Sequence, residues 1–167
     1  DSQIDNEYFE RYKRHILIKN IGGQGQKKLG RAKVLLIGLG GIGSTVLQHL
    51  AAAGIGKIGL VDQDTVALSN LQRQTIYKYE DIGSKKVSVA SNFVKKLNKN
   101  VEITEYDFFL SGEDTTKIIG EYDVVLDGTD NFETRKLINK HCVEERKPLI
   151  FGGVSGWEGI VSLFVYK

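Results

Sequence analysis

Lys33-Val-Leu-Leu-Ile-Gly38-Leu-Gly40-Gly41-Ile-Gly43 is the stretch on which the fold turns. A short apolar run, strand-like in length, leads directly into G-x-G-x-x-G. After it Gly43, Val46, Leu47, Leu50, Ala51 and Gly54 recur at helical spacing on one face. Strand, glycine turn and helix in that order suit phosphate binding, since the glycines permit a tight turn and close backbone approach and the helix N-terminus offers N–H groups and partial positive charge; the alternative is that the glycines serve close packing only.

Outward from this unit, short apolar runs alternate with helical stretches. Residues 33–38, 57–62, 101–106, 123–127 and 148–152 read as strands. Val87, Ala90, Val94 and Leu97 make one further helical stripe, and Thr134, Leu137, Ile138 and Cys142 another. Such alternation predicts a Rossmann-like, doubly wound α/β fold with a mostly parallel sheet. Residues 159–166 read as one more strand, separated from 148–152 only by a Gly-rich loop, so an antiparallel C-terminal extension is expected. Residues 1–32 precede the sheet as an N-terminal helical arm, with helices expected over 6–18 and 24–29, and have no evident role in the core of the 33–167 domain.

Composition narrows the function classes. The chain has 167 residues, 41% hydrophobic and 26% charged, with 23 basic and 21 acidic residues and a formal net charge of +2. That balance gives no electrostatic basis for nucleic-acid or anionic-membrane binding. Cys142 is the single cysteine, which precludes an intrachain disulfide and an all-cysteine zinc site in these residues and suits a reducing compartment. Apolar runs fall far short of the ~20 residues a bilayer requires, so a soluble cytoplasmic protein is expected. The chain contains no Met and stops within an apparent strand, which reads as part of a longer protein.

The glycine turn with Asp62 at the end of the second strand, placed to accept hydrogen bonds from ribose hydroxyls, points on its own first to a nicotinamide-dependent dehydrogenase. The segment that follows changes the balance. Gln63-Asp64-Thr-Val-Ala-Leu-Ser69-Asn70-Leu71-Gln72-Arg73-Gln74 is polar, without strand or helix period, at the sheet edge where ligands bind. Asn70, Arg73 and Gln74 offer amides and a guanidinium suited to phosphate oxygens. Lys86 opens the next helix, where an ammonium opposes the helix dipole unless an anion lies beside it; Lys85 reads as ordinary surface charge. Asp130 stands at the end of the fourth strand just before a helix, either as its cap or as a carboxylate for Mg²⁺. Of the histidines, His15, His49 and His141, none lies in a loop after a strand to serve hydride transfer. The inventory suits phosphoryl or adenylyl transfer, in which positioning and charge stabilisation do most of the catalysis.

Arg11-Tyr-Lys-Arg14, Gly38-Leu-Gly-Gly-Ile-Gly43, Leu68-Ser-Asn-Leu-Gln-Arg-Gln74, Gly83-Ser-Lys-Lys86 and Thr129-Asp-Asn131 together resemble the ThiF/MoeB/HesA group, bacterial relatives of ubiquitin-activating enzymes. The resemblance implies ATP-dependent adenylation of the C-terminal glycine of a ubiquitin-like sulfur-carrier protein, with release of pyrophosphate, in thiamin or molybdopterin biosynthesis. It implies further that Gly38, Gly40, Gly41, Gly43, Asp62, Asp64, Ser69, Asn70, Leu71, Gln72, Arg73, Gln74, Lys86, Asp130 and Asn131 bind the nucleotide. Arg73 and Lys86 would stabilise charge on the α-phosphate, Asp130 would hold Mg²⁺, and Arg14 would reach the ATP site of the partner in a homodimer. Relatives continue into a carrier-binding half with C-x-x-C zinc ligands, which this sequence lacks. Cys142 falls on an apolar stripe and reads as a buried small hydrophobe. The alternatives are a same-superfamily enzyme that adenylates a peptide or a tRNA base, the dehydrogenase, and a noncatalytic partner subunit.

Overall fold

A computed structural model describes residues 6–111 and 113–166; residues 1–5 of the arm and Lys167 lie outside the described residues. The strands are β1 (Lys33–Ile37), β2 (Lys57–Val61), β3 (Glu102–Tyr106), β4 (Val124–Asp127), β5 (Leu149–Ser155) and β6 (Glu158–Phe164), in one sheet of order β3-β2-β1-β4-β5-β6. All neighbours pair in parallel except β5 and β6. Strand order reverses between β1 and β4, so the chain leaves these two strands in opposite directions and opens a crevice at their carboxyl ends.

The centre of the sheet is buried on both faces. On β1, Val34 and Leu36 join a cluster with Leu47 and Ala51 of helix α3 (Gly41–Ala53) and Val87, Ala90 and Val94 of α4 (Lys86–Leu97). Leu35 and Ile37 point the other way, to Ile118 and Ile119 of α5 (Glu113–Gly120) and Ile138 and Cys142 of α6 (Phe132–Glu144). The α5 crossover has no counterpart among the helices expected from sequence. With eight residues it contributes few apolar contacts, too few to make a recognisable stripe.

Two further expectations need correction. The Gly-rich segment after 152 is strand rather than loop: Gly152 pairs with Val161 and Gly153 with Ile160, and Gly156-Trp157 makes the turn with Gly156 at φ +59°. Ladder hydrogen bonds from the partner strand override the weak strand preference of glycine. The arm, which forms α1 (Asn6–Ile16) and α2 (Gly22–Leu29), does enter the core. Tyr12 is 3% exposed and its hydroxyl accepts a 2.7 Å hydrogen bond from Asn98 Nδ2, which also donates to the Ala51 carbonyl. Gln26, fully buried, donates from Nε2 to the Ala53 carbonyl and pairs through Oε1 with His15. A Cβ on Gly54 would overlap the Tyr12 ring. These bonds tie the arm to the C-terminal ends of α3 and α4, at the edge of the sheet opposite the crevice.

Candidate active site

The crevice is a cavity of about 810 Å³ whose floor is the turn after β1. Gly38 adopts φ +90°, and a Cβ there would meet the Gly128 backbone at 3.1 Å. A Cβ on Gly43 would overlap the Gly38 carbonyl oxygen. Only glycines let the tips of β1 and β4 and the first turn of α3 approach this closely. Gly40 is the N-cap of α3 and no side chain caps that end. Because Gly40 and Gly41 line the cavity, the open helix N-terminus is available to an anion.

Asp62 follows β2. Its Oδ2 accepts the Leu39 N–H at 2.7 Å and its Oδ1 the Asp64 N–H at 2.8 Å, so two backbone donors orient the carboxylate while each oxygen keeps a further lone pair. Beneath the turn the buried Tyr77 hydroxyl donates to the Leu39 carbonyl at 2.8 Å. Burial, and then the negative charges of Asp62 and Asp64, push its pKa far above the ordinary tyrosine range, so it stays a neutral donor.

Lys86 begins α4 with only 5% of its surface exposed. Among the described residues its ammonium has a single partner, Asp64 Oδ2 at 3.2 Å, although an ammonium carries three donors. The anion that its position at a helix start calls for is thus in part supplied by the protein. Lys85 points away, to Asp107 at 3.2 Å. Arg73 lies across the glycine turn, since a Cβ on Gly41 would meet its Cδ at 3.4 Å, and its Nη1 donates to the Ser69 carbonyl. Gln74 is 1% exposed and lines the cavity, and among the described residues its Oε1 has no hydrogen-bond partner. Such an orphaned buried acceptor invites a ligand or an ordered water.

At the end of β4, Asn131 rather than Asp130 caps α6, its Oδ1 accepting the Thr134 N–H at 3.0 Å. The capping role open to Asp130 in the sequence is therefore taken by its neighbour. Asp130 is exposed on the cavity rim, and among the described residues its carboxylate has no hydrogen-bond or ion-pair partner. A free carboxylate in a cavity that also holds a guanidinium and an ammonium for phosphate is compatible in donor chemistry with a divalent cation that arrives with phosphate oxygens.

Of the nucleotide-binding residues expected from sequence, Gly38, Gly40, Gly41, Asp62, Asp64, Asn70, Arg73, Gln74, Lys86, Asp130 and Asn131 line one cavity. The others lie off it. Gly43 sits beneath the turn, Ser69 reaches the site only through Arg73, Leu71 packs on the core and Gln72 is exposed to solvent. Asn70 spends its Oδ1 on the Ala67 N–H at 2.9 Å. Arg14 is exposed on α1 and does not line the cavity. Sequence reasoning missed Phe108, Phe109, Leu110, Thr129 and Arg135, which also line the cavity. The first three follow β3, where a position just beyond a strand at the crevice edge was the available signal.

The ThiF family matches residues 12–167. The chain is 42% identical over 158 residues to the sulfur carrier protein adenylyltransferase of Thermus thermophilus, covering 95% of this chain and 58% of that protein. It is 41% identical over 163 residues to the probable adenylyltransferase/sulfurtransferase MoeZ of Mycobacterium tuberculosis, covering 98% and 42%. The crystal structure of E. coli MccB with ATP superposes with a TM-score of 0.84 at 31% identity, covering 93% of this chain and 48% of that one. The chain spans about half the length of the curated relatives it matches.

Proposed function

The chain belongs to the ThiF family, and on that premise we propose that it is the ATP-binding part of an adenylyltransferase for a ubiquitin-like sulfur-carrier protein of thiamin or molybdopterin biosynthesis. The observation that carries the reading is Lys86: a buried ammonium with one carboxylate partner, facing a cavity that also holds Arg73 and the unpartnered Asp130. Relatives at about 40% identity are named adenylyltransferases of sulfur-carrier or molybdopterin systems, which supports this substrate class.

In the proposed reaction an oxygen of the carrier's C-terminal carboxylate bonds to the α-phosphorus of ATP. The bond from that phosphorus to the bridging oxygen breaks, and pyrophosphate leaves with the electron pair. Asp62 receives the ribose hydroxyls, the glycine turn and α3 N-terminus face the phosphates, and the spare donors of Lys86 and Arg73 meet the charge that grows on the α-phosphate oxygens. Asp130 would hold Mg²⁺, which neutralises phosphate charge when bound. Arg14, exposed on α1 and outside the lining of the cavity in its own chain, would reach the site of a partner subunit in a homodimer. No helix among the described residues is long and apolar enough to cross a membrane, and the cytoplasm is the proposed compartment.

Calorimetric titration with Mg·ATP and separately with NAD tests the nucleotide; preference for NAD overturns the proposal. Pyrophosphate exchange with a carrier ending in glycine tests the chemistry. Lys86→Ala and Asp130→Ala each abolish exchange in a folded protein, and unchanged exchange in both refutes their roles. Mixing Arg14→Ala with Asp130→Ala restores part of the activity if the arm works across the dimer.

A further inference from the structure

Among the described residues Asp130 has no hydrogen bond or ion pair of its own that sets the direction of its carboxylate, although a metal ligand needs a fixed direction. The residue before it is pinned instead. Thr129 donates from its N–H at 2.9 Å and from its hydroxyl at 2.7 Å to Asp127 Oδ1, and its carbonyl accepts from Arg135 Nε at 3.2 Å and Nη2 at 2.5 Å. Arg135 stands in the first turn of α6, and its guanidinium carbon lies 4.2 Å from the centroid of the Phe151 ring on β5. Gly153 leaves room for that ring, since a Cβ there would meet Phe151 Cζ at 2.9 Å. The guanidinium is therefore a plate held by β5 with two donors aimed at one carbonyl, an arrangement that a single-point ammonium does not reproduce.

The peptide unit is planar, so the Thr129 carbonyl and the Asp130 nitrogen turn together. We infer that Arg135 is a positioning residue. By holding the Thr129 carbonyl with two N–H groups it fixes the peptide that leads into Asp130, and so sets how that carboxylate is presented to a divalent cation bound with ATP. This inference rests on the reading of Asp130 given above. It predicts that Arg135, which also lines the cavity, governs the gain in ATP affinity that the metal brings, over and above any loss that its missing charge causes without metal.

The test is calorimetric titration of the whole chain with ATP in EDTA and in Mg²⁺, for wild type, Arg135→Ala, Arg135→Lys, Asp130→Asn and the Arg135→Ala/Asp130→Asn pair, each checked by circular dichroism and thermal melt. Arg135→Ala is expected to lower the Mg²⁺-dependent gain, the ratio of affinity in Mg²⁺ to affinity in EDTA, about tenfold or more, as loss of a supporting contact around a metal ligand does. Arg135→Lys recovers part of the gain, and the double variant is no worse than Asp130→Asn alone, because both changes remove the same contribution. Equal losses in EDTA and in Mg²⁺, an unchanged gain in both Arg135 variants, or losses that multiply in the double variant each overturn the inference. If Arg135→Ala fails to fold, Arg135→Lys decides by the same comparison. A wild-type chain with no gain from Mg²⁺ overturns the Asp130 assignment itself, and the wild-type titration alone reveals that failure.

Discussion

Replacing Lys86 by Met separates a residue kept for binding from one kept for stability. The ammonium is almost fully buried, while its partner Asp64 has 63% of its side chain exposed. Water therefore screens the attraction between them, and the pair offsets little of the several kcal/mol that desolvating an ammonium costs. Met retains most of the apolar stem and removes the charge. The expected result is an unfolding free energy unchanged or raised by up to about 2 kcal/mol, measured by urea unfolding with linear extrapolation. Phosphate loses a charge-assisted hydrogen bond worth about 1.5–3 kcal/mol, so Mg·ATP affinity in calorimetry should fall on the order of 10- to 100-fold. A variant that loses more than about 1 kcal/mol of stability yet keeps its ATP affinity would show that Lys86 serves the fold through Asp64, and would refute the reasoning.

Gly43→Ala forces a Cβ onto the Gly38 carbonyl and should cost about 1–3 kcal/mol, seen as a lower urea midpoint at unchanged slope. Burial, and then the charge of Asp127, push the Cys142 thiol up to about 12. Its alkylation at pH 8 should accordingly be slower than in the denatured chain by on the order of 10³-fold or more, and a comparable native rate counts against the buried assignment. Burial raises the Asp127 carboxyl above its ordinary range, against the Thr129 hydrogen bonds and the Arg135 charge. The folded state then binds more protons than the unfolded one, so this group's contribution falls as pH rises from the ordinary carboxyl range through the folded value. Asp127→Asn, whose amide oxygen can still accept from Thr129, should gain stability relative to wild type between pH 4 and pH 7 in paired urea titrations, and a constant or shrinking difference contradicts the burial argument.

Local chemistry determined what could be read before folding. The strand from Lys33, the G-x-G-x-x-G turn and the α3 stripe are specified by neighbours within a few residues, as are the Asp62 position and the polar run to Gln74. Periodicity likewise located α4, α6 and the buried face of Cys142. Tertiary structure decided whatever depends on groups far apart in sequence. Gly152 and Gly153 are strand because β6 supplies their hydrogen bonds, and the arm is anchored because Tyr12 meets Asn98, 86 positions away. Within the site, Asp64 rather than solvent faces Lys86, Asn131 rather than Asp130 caps α6, and Arg135 holds the Thr129 carbonyl. Each of these turns on which of several equally capable polar groups comes within about 3 Å in the right direction. Residue type lists the candidates, and only the packed chain brings one of them into reach.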